Sequence, residues 1–225
     1  MVSAEVPPLG RSRSPGRPRL YEPDDERRRI LVAALDVLRR NDGEEATVAD
    51  ILREAGMSTR AFYRHFETKE DVIRALYERD AQSFGARLTM AVEAAPDPDQ
   101  ALAVWVNEML SLAYDRRRAD RVAALSSPMV LRVVAGTRAQ QMGADLLVEP
   151  LRAVLEGGLA QGWFPAARPD LDIRTIRAIT AEAISWSRSG AVRLSRREAA
   201  DHILRFSRAA LGAAPNPASL CKSKG

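Results

Sequence analysis

The sequence predicts an all-α protein of about nine helices, and three observations predict it. Apolar residues recur three and four positions apart through successive segments, the spacing that lines one face of a helix. Three pairs, Thr47 with Asp50, Thr68 with Asp71 and Ser195 with Glu198, stand at the start of such segments. Each is a capping box, in which the hydroxyl accepts one unpaired N–H of the first turn and the acidic side chain reaches back to another. No stretch reads persuasively as a strand.

The first helix is expected from about Asp25 to Asn41. Asp24, Asp25 and Glu26 at its start and Arg39 and Arg40 at its end complement the helix dipole, and Ile30, Leu31, Ala34, Leu35 and Leu38 form its stripe. Asn41-Asp42-Gly43 breaks it. From the Thr47 cap, Val48, Ile51, Leu52 and Ala55 mark a second helix, which Gly56 ends by taking a left-handed conformation. Ser58 caps a third, on which Ala61, Phe62 and Phe66 share one face while Thr59, Arg60, Tyr63 and Arg64 point elsewhere.

Two short helices across a glycine turn make a helix-turn-helix, whose second helix enters the major groove of DNA. Arg60 in the first turn can grip guanine in a bidentate fork. Tyr63, His65 and Lys69 offer an O–H, an N–H and an ammonium to phosphate oxygens. A solvated charged helix is the plainer alternative. The clustering of cap, turn, aromatic hydroxyl, histidine and lysine within two dozen residues favours DNA.

Thr47 through Asp71, ending Phe62-Tyr63-Arg64-His65-Phe66-Glu67-Thr68-Lys69-Glu70-Asp71, resembles the helix-turn-helix signature of the tetracycline-repressor (TetR) family. The resemblance covers about Asp24 to Phe84. It implies a three-helix DNA-binding head, an all-helical ligand-binding and dimerisation body, a homodimer on a palindromic double-stranded operator, and release by a small molecule. It implies Thr47 on a phosphate, Thr59 and Arg60 at base edges, and Tyr63, His65 and Lys69 on the DNA backbone, with Ser58 beside them. Ala61 departs from the polar residue often found there. On this reading residues 1–22 are a disordered basic arm, 23–84 the DNA-binding domain with its helix-turn-helix at 47–66, 85–212 the ligand-binding and dimerisation domain, and 213–225 a disordered tail.

In the arm, Gly16-Arg17-Pro18-Arg19 resembles the core of a minor-groove hook, which makes Arg17 and Arg19 candidate DNA contacts. Pro15 stands where a flanking arginine is expected, and a solubilising tail is the alternative. The fourth helix begins near Lys69, where free N–H groups and the dipole can join the ammonium in holding a phosphate. It runs through Val72, Ile73, Leu76, Phe84 and Leu88 toward Ala94, leaving the head and entering the body.

Asp97 and Pro98 start a fifth helix that ends at Tyr114. Arg116-Arg117-Arg118 then reads as a solvated face at a junction, before a short helix to Leu125. A helical region from Ser127 to Gly157-Gly158 contains Pro150, which must kink or divide it. Asp170 opens the eighth helix and Ser195 the ninth.

Trp105, Met109, Tyr114, Met129, Met142, Trp163, Phe164 and Trp186 lie mostly on helices that surround the ligand cavity in the family. Their bias toward Trp and Met points to a small apolar or aromatic effector, although each taken singly fits a core as well. Ile179, Ala183, Ile203 and Phe206 offer more apolar stripe than one monomer needs and mark the expected dimer interface, with core packing as the alternative.

The chemical inventory is equally pointed. The only histidines, His65 and His202, pair with neither Cys221 nor a carboxylate at metal-ligand spacing, and no phosphate-cradling glycine loop or nucleophile elbow is present. No metal, no cofactor and no enzymatic activity are expected. One cysteine excludes an internal disulfide, and nothing resembles a signal peptide or membrane span, so a cytoplasmic location is expected. A net charge of +4 is modest, which puts the weight on where the charges lie. The reading is a sequence-specific transcriptional regulator, a repressor released by its effector. Activation, a ligand-independent or architectural DNA binder, and a helical small-molecule-binding or enzymatic dimer are the alternatives.

Overall fold

A computed structural model describes residues 23–41, 46–190 and 192–213. Arg17, Arg19, the rest of the arm and nearly all of the tail lie outside the described residues. Among those described there are ten helices and no strand: α1 (Pro23–Arg40), α2 (Val48–Ala55), α3 (Thr59–Phe62), α4 (Lys69–Glu93), α5 (Pro98–Tyr114), α6 (Arg116–Leu125), α7 (Pro128–Val134), α8 (Arg138–Ala160), α9 (Pro169–Ser189) and α10 (Arg196–Leu211). None of them is long and apolar enough to cross a membrane.

The count exceeds the expected nine because the region after Ser127 divides, and it divides at Gly136 instead of Pro150. Gly136 takes φ +68, a left-handed conformation that a side chain would strain, and its N–H donates to Gln140 Oε1 at 2.9 Å. Pro150 stays inside α8, where it deprives only the Leu146 carbonyl of its helical donor.

Two apolar clusters organise the chain. Ile30, Leu38, Ile51, Phe62, Phe66 and Ile73 centre the head cluster, and Leu88, Leu102, Trp105, Leu155, Phe164 and Ile203 centre the body cluster. α4 belongs to both, with Val72 and Leu76 in the first and Phe84 and Val92 in the second. At 25 residues it spans about 37 Å. The head cluster is also closed from the body side, by Ala124 and Leu125 of α6 and Val130 of α7.

The body is pinned by polar bonds as well as by area. Arg208 on α10 forks onto buried Asp99 at the start of α5, at 2.6 and 2.7 Å. The Trp105 indole donates to the Leu147 carbonyl at 3.0 Å. Gly158 is required by close packing, since a Cβ there would stand 2.1 Å from Phe164 Cδ2.

The stripe expected to form a dimer splits between two faces. Ala183 and Ile203 are 5% and 2% exposed within the body's own core, and Ile179 is partly buried. Phe206, by contrast, is 59% exposed on the outer side of α10.

Candidate nucleic-acid interface

The helix pair is built by local chemistry. Thr47 Oγ1 accepts the Asp50 N–H at 3.1 Å, and the Thr47 N–H donates back to Asp50 Oδ2. Both partners hold the Asp50 carboxyl below the ordinary aspartate range, the Thr47 hydroxyl first and Arg53 second. α2 ends at Gly56, whose φ of +63 lets its N–H and that of Met57 turn back onto the Arg53 and Leu52 carbonyls. Arg29 of α1 donates to the Ala55 carbonyl at 3.1 Å, which adds a cation at the negative end of the α2 dipole.

Ser58 Oγ accepts the Ala61 N–H and starts α3, which is short, and bonds from the Tyr63, His65 and Phe66 amides carry the turn on to Phe66. Ala61, Phe62 and Phe66 face the core, while Thr59, Arg60 and Tyr63 are exposed, Tyr63 by 58%. The Tyr63 ring stands edge-on to Phe62 at 5.4 Å, so the exposed phenol is held by a buried neighbour. Lys69 occupies the first position of α4, beside the Thr68–Asp71 capping box.

His65 lies differently from the expectation of a phosphate contact. Its side chain is 11% exposed, and its Nε2 donates to Glu26 Oε2 at 2.9 Å. The same carboxylate accepts two bonds from Arg64, at 2.7 and 2.6 Å. Glu26 is 8% exposed, and its pKa is lowered by the Arg64 bonds first and the His65 bond second, against the cost of burial. Glu26, Arg64 and His65 thus clamp the third helix to the first from behind. Sequence reading misses the clamp because 38 and 39 residues separate its members. Thr47 is similarly committed, its hydroxyl also donating to Asp50 Oδ2 at 2.6 Å. Among the described residues no cluster of His, Cys, Asp and Glu could hold a metal ion.

The residues expected to surround an effector do not line one cleft. Trp105 and Phe164 are fully buried in the body core, Trp163 is exposed in the turn after α8, and Met129 packs on the head cluster. Met142 lines a shallow groove along α8 with Thr89. Large apolar side chains fill cores and pockets alike, so their abundance does not separate the two. A cleft of about 550 Å³ instead opens between α4, α5, α6 and α8. Its apolar wall includes Phe84, Leu112, Val122 and Leu147, and its polar wall includes Arg117 and Arg118. The arginines expected to be a solvated face therefore border this space, and Arg118 is bonded to Glu108 Oε2 at 2.9 Å. A larger cleft of about 770 Å³ where α1 meets α6 is lined by charges that pair with one another, Arg40 with Glu54 and Arg39 with Asp120.

An exposed Thr-Arg-Tyr face on a capped helix-turn-helix, joined by one long helix to a helical body, defines a DNA-binding protein of the helix-turn-helix class. Residues 30–76 match the family described as bacterial regulatory proteins, tetR family. That match spans the DNA-binding head and identifies residues 30–76 as similar to the helix-turn-helix domain of those regulators. Solved structures agree in fold. The fatty acid degradation regulator FadR from Bacillus halodurans is 19% identical, with a TM-score of 0.66 over 81% of this chain and 94% of its own. FadR from Bacillus subtilis, in complex with stearoyl-CoA, is 19% identical, with a TM-score of 0.65 over 81% and 98%. SmeT in complex with triclosan is 22% identical, with a TM-score of 0.66 over 83% and 91%. No curated protein matches the sequence.

Proposed function

We propose that this regulator is a cytoplasmic homodimeric repressor that binds a palindromic operator through Thr59, Arg60, Tyr63 and Lys69 and is released by a small effector in the α4–α5–α6–α8 cleft. The observation that carries the operator reading is the exposed α3 face, rigid from behind because Glu26 holds Arg64 and His65. Thr59 and Arg60 meet base edges, and Tyr63 and Lys69 meet phosphates, with Thr47 and Ser58 offering further backbone contacts where their caps allow. The residues of the clamp orient this face and touch DNA little.

Effector control is supported by two neighbours of like fold that were solved with small molecules, stearoyl-CoA and triclosan. Leu125 suggests how a signal passes, because it lines the cleft and also belongs to the head cluster. An occupant that displaces α6 shifts a side chain on which the head packs. It lowers operator affinity only to the extent that it binds the displaced state better.

Selection of bound sequences from a random DNA pool tests the operator reading, and a single strongly preferred palindrome is the expected result. On that palindrome Arg60→Ala should cost about 1–3 kcal/mol and relax choice at one base pair. Lys69→Ala should weaken all sequences alike and flatten the salt dependence by about one unit. Equal losses on every sequence for both variants would remove the assignment.

The dimer reading rests on the outward half of the α9 and α10 stripe. Phe206→Glu places a charge on an exposed side chain and should give folded monomers in sedimentation, with helical content unchanged. A dimer of undiminished stability would exclude this face. Ala183 is a poor probe of the same idea, because a glutamate there would enter the core of its own subunit.

A further inference from the structure

The cleft carries more positive charge than the described residues neutralise. Arg79, Arg87, Arg117, Arg118 and Arg121 all line it, and Asp80 is the one carboxylate among the lining residues. Two of the arginines are spent. Arg121 pairs with Asp80, and Arg118 bonds Glu108 and the Ser111 hydroxyl. Asp115 is committed to the start of α6, its Oδ1 accepting the Arg117 and Arg118 backbone N–H groups. Arg87 lies over the Phe84 ring at 5.5 Å, and neither it nor Arg79 nor Arg117 meets a carboxylate among the described residues.

The same cleft also has an apolar wall, lined by Phe84, Leu112, Val122, Leu125 and Leu147. Tyr77 adds a phenol whose pKa burial pushes up, so it remains a hydrogen-bond donor at neutral pH. Guanidinium groups bind carboxylate and phosphate through paired, charge-assisted bonds, and an apolar wall beside them takes a hydrocarbon tail.

We infer that the cleft accepts an anionic amphiphile, one carboxylate or phosphate head set against Arg87 and Arg117 with its apolar tail along Phe84, Leu112 and Leu147. This deepens the effector reading above and rests on it for the consequence at the operator, though not for the binding itself.

The test titrates the full-length protein with four ten-carbon probes, each below its aggregation concentration: decanoate, decyl phosphate, decanol and decyltrimethylammonium. At least one anion should bind about tenfold or more tighter than decanol, and the cation should bind weakest. The tighter of decanoate and decyl phosphate then identifies the head group. Arg87→Gln combined with Arg117→Gln should abolish the preference for anions and leave decanol affinity within about twofold, whereas the paired Lys replacements should retain part of it. Should the double variant melt early, the single Arg117→Gln carries the same readout, because its exposed side chain meets no carboxylate among the described residues. Decanol binding as tightly as both anions, binding by none of the four, or a preference that survives the Gln replacements would overturn the inference. Operator binding by the unliganded protein is measured separately. A protein that binds its operator but not the anions loses only this inference, and one that binds the anions but no operator loses the regulator reading while the ligand class stands.

Discussion

Trp105→Ala should lower the stability of the protein by about 3–5 kcal/mol, the largest loss expected from any single truncation in the body. Trp105 is fully buried and among the largest side chains in the core, so its removal leaves a cavity where α5 meets α8. It also takes the indole donor from the Leu147 carbonyl, one residue beyond the carbonyl that Pro150 already leaves without a helical partner. Thermal unfolding should shift downward by about 10–15 °C. Trp105→Phe keeps most of the apolar area and should cost clearly less. If Trp105 instead served mainly as an effector contact, the alanine variant would melt near wild type and lose effector affinity alone, and that outcome would exclude the structural role.

Glu26→Ala should destabilise the head by about 2–3 kcal/mol. That is below the 3–5 kcal/mol typical of fully buried pairs, because the partly exposed Arg64 recovers some hydration when its partner is removed. A fall of about 5–10 °C in the head's melting transition is expected. Operator affinity should drop too, although Glu26 lies behind the reading face, since Arg64 and His65 lose the anchor that fixes the α3 turn.

The same carboxylate makes a pH prediction. Its folded-state pKa is depressed below the usual 4.5, so its stabilisation is complete above about 4.5 and is lost as pH falls through the lowered folded value. Wild type should therefore lose head stability on acidification below that point, and Glu26→Gln should show a shallower acid slope. Parallel acid curves for the two proteins would assign the slope to other carboxylates, with the capping residues Asp50 and Asp71 the next to substitute.

The helix-turn-helix was legible in the sequence because its determinants are local. Thr47 with Asp50, Gly56 and Ser58 each act within a turn of their own position, and all three features occur where the residues predict them. Helix boundaries in the body were legible for the same reason wherever a cap marks them, at Asp97 and Ser195 for instance. Gly136 as the breakpoint was not, since an isolated glycine in an apolar pattern reads equally as a tolerated helical residue.

The cleft between α4, α5, α6 and α8 was illegible for a deeper reason. It exists only where four helices fail to close on one another, and the residues that line it come from positions as far apart as Tyr77 and Leu147. Of the Trp and Met side chains singled out in sequence, packing consumes Trp105 in the body core and places Met129 against the head. Arg117 and Arg118 read as a charged junction because the apolar wall opposite them arrives from other parts of the chain.

The closing of the head cluster by Ala124, Leu125 and Val130 bears on how proteins of this design diversify. A crossover after Phe84 joins one parent's head to another's body, yet brings a foreign plug into the head's core. Such a hybrid inherits mismatched volumes where α1 meets α6 and α4 meets α7, and a close-packed interior tolerates volume errors poorly. Operator preference and effector preference are consequently not free to recombine as cassettes. A new head must arrive with its own α6 and α7 or be refitted to the resident ones, which ties two functions that look separable along the chain to a shared history of substitution.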